Sequence, residues 1–115
     1  MKKIIKIANG QGFWGDSIDA PYNLIKYGDI DYLTLDYLAE VTLSIMQRQK
    51  LKNPNKGYAT DFIDLIKRVM NDIIEKNIKI VTNAGGVNPE VCKDNLLSLA
   101  HELNLDLKIA IIKGD

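Results

Sequence analysis

Short apolar runs alternate along this chain with longer segments in which apolar residues recur every three or four positions. The short runs are rich in β-branched and aliphatic residues and predict strands at 3–8, 30–35, 78–82 and 107–112. The periodic segments predict helices at 17–27, 38–51, 59–76 and 89–103. The predicted order is therefore β-α-β-α-α-β-α-β.

This order favours one particular fold class. Strands that alternate with helices pair in parallel through right-handed crossovers, and nearly continuous apolar strands are typical of a sheet buried on both faces. We therefore expect one Rossmann-like α/β domain over residues 1–115. Gly114 and Asp115 fall where a strand-to-helix loop would begin. We expect the chain to be the incomplete, N-terminal part of a larger domain, and its last strand to be an exposed edge that promotes self-association.

Composition narrows the class of protein. The chain is 46% apolar, and its 15 basic and 15 acidic side chains balance. These values argue against disorder, and the balanced charge argues against nucleic-acid binding. Zero net charge favours self-association, so we expect a homo-oligomer or a bound partner chain. The single cysteine, Cys92, fits a reducing cytoplasm, and neither a signal peptide nor a membrane-spanning run is visible.

Glycine and polar residues follow the ends of the predicted strands, which is where parallel sheets bind ligands. These residues occupy 9–16, 36–40, 83–88 and 113–115. We therefore predict a ligand pocket at this edge of the sheet. Loops of α/β proteins are commonly polar and glycine-rich, which is the alternative explanation.

The first of these loops contains a literal dinucleotide-binding pattern. Gly10, Gly12 and Gly15 match G-x-G-x-x-G after a strand, and Asp36 follows at about the distance of a ribose-binding acid. Against this interpretation, a dinucleotide-binding helix begins within the motif, whereas Pro21 places the start of the next helix several residues after the glycines. Asp16 places negative charge where a pyrophosphate would lie, and Phe13 and Trp14 are bulky. Dinucleotide binding is therefore a lesser alternative.

The third loop is a better candidate for an anion site. Its glycines allow positive φ, and the first amides of the following helix point towards it. A plain strand-to-helix turn explains the same residues equally well. Asn88 is predicted to cap that helix, with Pro89 at its first position. The predicted ligand-binding residues of this loop are Asn83, Gly85, Gly86 and Asn88.

Three carboxylates carry the candidate chemistry. Asp16, Asp36 and Glu40 could act as acid and base, bind hydroxyls or share a hard cation; they could also cap helices or be solvated. Trp14 is predicted to stack on a ligand or to contact a partner. Apart from that hard cation no metal site is predicted, because His101 is the only histidine and Cys92 the only thiol, and no cofactor can be assigned.

The motifs together resemble the acyclic terpene utilisation A-type family over the whole chain. They are Asn9, Gly12-Phe13-Trp14-Gly15-Asp16, Asp36-Tyr37-Leu38-Ala39-Glu40, Gly57-Tyr58-Ala59, Asn83-Ala84-Gly85-Gly86-Val87-Asn88-Pro89 and Gly114-Asp115. The resemblance implies that Asn9, Gly15 and Asp16 are the better candidates in the first loop and that the dinucleotide pattern is a coincidence. It also implies a role in the breakdown of acyclic terpenoids such as citronellol and geraniol. Family members are longer, so a C-terminal portion or a separate small subunit would be a partner.

Our leading hypothesis is one part of an enzyme site. The third loop would hold a carboxylate, thioester oxygen or CoA phosphate, and the carboxylates would support a hydratase- or lyase-like step on an acyl compound. The isolated chain would then be inactive alone. The alternative is a non-catalytic ligand-binding or assembly module, in which Trp14 and the loops contact the missing portion.

Overall fold

A computed structural model describes residues 4–114 and shows a three-stranded parallel sheet with four helices. The α/β class and the element order are confirmed as far as the fourth helix. The sheet order is β1-β2-β3. The elements are β1 (Ile7–Gln11), α1 (Asp19–Tyr27), β2 (Tyr32–Leu35), α2 (Glu40–Lys52), α3 (Thr60–Glu75), β3 (Lys79–Thr82) and α4 (Pro89–Glu102).

The helices cover only one face of the sheet. Ala8, Leu33 and Ile80 lie side by side in register, and this row faces the helices, with Leu33 fully buried. On the opposite face Ile7 is 68% exposed and Val81 is 59% exposed. Right-handed crossovers that all advance in one direction across a sheet put their helices on the same side. The expectation of a sheet buried on both faces is therefore wrong within residues 4–114. We call the uncovered side the open face; it consists of Ile7, Asn9, Tyr32, Thr34, Lys79 and Val81.

The core lies between the covered face and α3. The apolar stripe of α3 faces the sheet, and α1 and α4 pack on either side of this helix. Tyr37, in the loop after β2, is fully buried, and its ring meets that of Phe62 edge to face at 5.9 Å. The buried residues of α3 are Phe62, Leu65, Ile66, Val69, Met70 and Ile73.

The first strand lies later in the chain than its apolar run predicts. The predicted range is 3–8, and its first residue, Lys3, lies outside the described residues. The pairing starts at Ile7 and continues through the glycine-containing segment to Gln11. Gly10 is an extra residue in this register, and a β-carbon there would lie 2.9 Å from Cβ of Pro21. Glycine at this position therefore lets α1 approach the sheet closely.

The predicted fourth strand does not form within residues 4–114. Residues 107–112 carry no strand hydrogen bonds, although Leu107 and Ile109 are half-buried against the core. The segment follows α4 back towards its start, where Lys113 forms an ion pair with Glu90. Side-chain packing on one side therefore holds this segment, and the exposed edges of the sheet are β1 and β3.

Candidate functional site

The ends of the three strands lie at one edge, as parallel pairing requires. The Asp36 amide donates to the carbonyl oxygen of Gln11 at 3.1 Å, which joins the ends of β1 and β2. Oγ1 of Thr82 donates to the carbonyl oxygen of Leu35 at 2.8 Å, which joins β2 and β3. The loops that follow the strands consequently begin beside one another.

Two of the predicted site residues contact each other directly. Nδ2 of Asn83 donates to Oδ1 of Asp36 at 2.9 Å, and Oδ1 of Asn83 accepts the Tyr37 amide at 2.8 Å. The Leu38 amide also donates to Oδ1 of Asp36, at 3.1 Å. The Asn83 carboxamide, followed by the Leu38 amide, lowers the pKa of the Asp36 carboxyl. Asp36 is therefore an exposed carboxylate, ionised at neutral pH.

Asp16 lies at the same edge but is engaged with its own loop. Its Oδ2 accepts the Gly12 amide at 3.2 Å, and its Oδ1 accepts the Ser17 amide at 2.9 Å. Gly15 has a φ of +93°, which allows the loop to turn back on itself. Both oxygens of Asp16 thus close the β1–α1 loop.

Glu40 is the third carboxylate and is exposed at the first position of α2. Within residues 4–114, no group of three or more His, Cys, Asp or Glu side chains is placed to hold a metal ion. The geometry therefore gives no support to a hard cation shared by Asp16, Asp36 and Glu40.

The third loop is a compact turn. The Gly86 amide donates to the carbonyl oxygen of Asn83 at 3.1 Å, and the Asn88 amide donates to that of Gly85 at 2.9 Å. Gly86 has a φ of +56°, and a β-carbon there would lie 2.4 Å from Sδ of Met46. These bonds use amides that an anion would need, so the geometry favours the turn explanation for this part of the loop.

Asn88 precedes α4 as predicted, but its side chain does not cap the helix. It is buried, and Nδ2 donates to the carbonyl oxygens of Pro54 and Lys56 at 2.8 and 2.9 Å. The Val87 amide donates to the carbonyl oxygen of Gly57 at 3.0 Å. Asn88 therefore fastens the segment between α2 and α3 to the third loop.

The dinucleotide pattern has a structural explanation. Gly10 accommodates Pro21, and α1 begins only at Asp19, beyond the last glycine of the pattern. Asp16 accepts amides that a pyrophosphate would otherwise bind. This geometry disfavours a dinucleotide at Gly10, Gly12 and Gly15.

Trp14 packs against the core of its own chain. Its side chain is half-buried, and Nε1 donates to Oδ1 of Asp61 in the first turn of α3 at 2.9 Å. Phe13 is the exposed aromatic residue of this loop, with 59% of its surface accessible. Asn9 lies on the open face, where its Oδ1 accepts Oγ1 of Thr34 at 3.4 Å. Stacking of Trp14 on a ligand remains a prediction.

Sequence reasoning missed two buried polar groups near this edge. Within the described residues, Oε1 of Gln11 and the hydroxyl of Tyr37 are buried without a hydrogen-bond partner. Burial, together with the charge of Asp61, raises the pKa of the Tyr37 hydroxyl. Such unpaired buried groups are uncommon. The only sequence signal was position: Gln11 ends a strand and Tyr37 follows Asp36.

The fold and this edge define the chain as part of a Rossmann-like α/β domain. A family model described as "Acyclic terpene utilisation family protein AtuA" matches residues 5–115. The chain belongs to the acyclic terpene utilisation family. No curated protein and no solved structure matches it. No helix among residues 4–114 has the length and apolar content needed to cross a bilayer.

Proposed function

We propose that this chain supplies part of the substrate site of a catabolic enzyme that acts on an acyclic terpenoid acyl compound, at the edge where the strands end. The contact between Asp36 and Asn83 carries this proposal, because it places a carboxylate and a carboxamide from neighbouring strands together. Membership of the acyclic terpene utilisation family supports this class of substrate. The edge itself supplies exposed hydrogen-bonding groups.

The lowered pKa of Asp36 restricts its chemistry. A carboxylate that stays ionised is a poor proton donor and a good acceptor for a hydroxyl group or a water molecule. Within residues 4–114, both hydrogen bonds to this side chain end on Oδ1, so Oδ2 can accept a hydroxyl. In a hydratase- or lyase-like step, Asp36 would hold the hydroxyl or water. Glu40, exposed at the same edge, would exchange the proton.

Asp16 and the third loop have supporting roles in this proposal. Asp16 shapes the first loop through the amides of Gly12 and Ser17. Asn83 orients Asp36 and, with Gly85, would contact the carboxylate, thioester oxygen or CoA phosphate of the substrate. Turnover would require the remainder of the site from another portion of the family protein.

The test is a titration of the isotopically labelled chain, followed by backbone amide shifts, with geraniol, citronellol and geranic acid as the probes. We expect shifts at residues 9–16, 36–40 and 83–88. Asp36→Asn, which removes the charge but keeps the shape, should weaken binding of the hydroxyl probes. Asp64→Asn, a matched change at an exposed carboxylate of α3, should leave binding unchanged. Shifts confined to other regions, or equal binding by the Asp36 variant, would contradict the proposal.

The open face favours a second function, that of an assembly module. Ile7 and Val81 leave apolar surface exposed on the face of the sheet opposite α1, α3 and α4. In doubly wound α/β folds a second set of helices covers this face. Another portion of a family protein or a separate subunit would therefore dock here, independently of any chemistry at the strand ends.

A further inference from the structure

The α2 helix is poorly integrated into the rest of the molecule. It has 13 residues, yet Met46 is its only buried side chain. Val41 is 71% exposed, Ile45 43% and Leu51 77%. A helix of this length is marginal without tertiary packing, and a helix with apolar residues on several sides is normally covered. The outward side of α2 therefore has the composition of an interface.

The charges of α2 are arranged from one end to the other. Glu40 lies in the first turn, whereas Arg48, Lys50 and Lys52 lie in the second half. Lys50 is turned inward, and its Nζ donates to the carbonyl oxygen of Val87 at 3.0 Å. The outward charges are thus acidic at the start of the helix and basic at its end. Two such helices placed antiparallel therefore bring opposite charges together at both ends.

We propose that the outer surface of α2 pairs with the same surface of a second copy, with the two helices antiparallel. This outer surface consists of Glu40, Val41, Ile45, Arg48, Leu51 and Lys52. A two-fold axis near the middle of the helix sets Glu40 against Lys52 of the partner subunit and Val41 against Leu51 of the partner subunit. The two helix dipoles then oppose each other, and both ends contain an opposite-charge pair.

The open face is the competing surface for a second copy, and its charges fit less well. Lys79 is its only charged residue, and Lys79 lies over the Tyr32 ring at 5.7 Å. Two copies that met through this face would bring two lysines and no carboxylate. Charge complementarity therefore favours α2 as the self-association surface.

This inference goes beyond the proposed function and shares Glu40 with it. In the dimer Glu40 pairs with the partner's Lys52, and in the monomer it is free for the proton exchange proposed above. An interface formed by one pair of short helices is at the small end of the known range, so we expect micromolar association.

The test is sedimentation equilibrium of the whole chain at low salt over a range of concentrations. We compare the unchanged chain with Glu40→Lys, Lys52→Glu and the double variant. Each single reversal sets like charges opposite each other at both ends and should weaken association roughly tenfold. The double reversal restores opposite charges and should restore association. Glu102→Lys, a reversal at an exposed residue of α4, is the control and should have no effect.

The double variant separates pairing from a simple effect on helix stability. Its charges oppose the α2 dipole at both ends, so a purely local effect would make it the weakest of the three variants. Circular dichroism checks that the helix content is kept. A monomer at all concentrations, association that ignores the single reversals, or a double variant weaker than both singles would overturn the proposal. So would association that Val81→Lys abolishes, because the open face would then be the interface.

Discussion

The two helices between β2 and β3 differ sharply in how they pack. α3 buries six side chains along one stripe, whereas α2 buries Met46 alone. One helix is sufficient to return the chain from the end of β2 to the start of β3, and α3 performs that crossover. α2 is an additional element at the edge where the strands end. α3 therefore stabilises the sheet, whereas α2 lies beside the candidate site.

Two contacts of α2 are made with the third loop of that site. Sδ of Met46 packs where a β-carbon on Gly86 would lie, and Nζ of Lys50 donates to the carbonyl oxygen of Val87. Gly57, with a φ of +107°, allows the following segment to turn beneath α2. The docking of α2 is therefore coupled to the third loop, and Met46 is the one side chain of α2 that also joins the buried core.

The largest expected effect comes from truncating one leucine in each helix. Leu65 of α3 is fully buried and Leu51 of α2 is 77% exposed. Leu65→Ala should lower the free energy of unfolding by about 2–5 kcal/mol, because it removes buried surface and leaves a cavity. Leu51→Ala should change it by less than about 0.5 kcal/mol. Urea unfolding measures both; a similar loss in the two variants would remove the distinction between the helices.

A smaller effect should follow from adding one methyl group between α2 and the third loop. Gly86→Ala puts a β-carbon 2.4 Å from Sδ of Met46 and 2.7 Å from the carbonyl oxygen of Gly57, at a positive φ. We expect a loss of about 1–3 kcal/mol, with amide shift changes concentrated in α2.

Gly12→Ala is the matched control for this change. A β-carbon on Gly12 would meet nothing closer than Oδ2 of Asp16 at 3.9 Å. The control should therefore be nearly neutral in the same unfolding measurement. If Gly86→Ala shifted the amides of α3 as strongly as those of α2, the coupling between α2 and the third loop would be wrong.

The same contrast explains what could be predicted from the sequence. The range 59–76 agrees with α3 to within one residue at each end because the periodic apolar residues are the buried ones. In α2 the spacing of Val41 and Ile45 predicts a helix but not its buried side, since these residues are exposed. The spacing of apolar residues thus predicts a helix with an apolar surface, but it does not show whether this chain or a partner covers that surface.

The sheet and the site were predictable to different degrees. Apolar residues such as Ile7 and Val81 make the strands look like strands that are buried on both faces. One face is open because the crossovers all advance in one direction, and amino-acid composition does not show that direction. Parallel pairing was enough to predict that the loops lie at one edge of the sheet. The contact between Asp36 and Asn83 could not be predicted, because it depends on the register of β2 and β3.

The smallest effect concerns the dependence of stability on pH at the edge beside α2. The pKa of Asp36 is lowered in the folded chain by Asn83 and by the Leu38 amide. Its contribution to stability is therefore complete above the pKa of the unfolded chain and is lost as the pH falls through the lower folded pKa. Asp36→Asn should be less stable than the unchanged chain near neutral pH, and the gap should close in acid. Urea unfolding of both proteins at about pH 7 and about pH 3 measures it. A gap that stays constant would mean that the Asp36 charge contributes nothing to holding β2 and β3 together at the site.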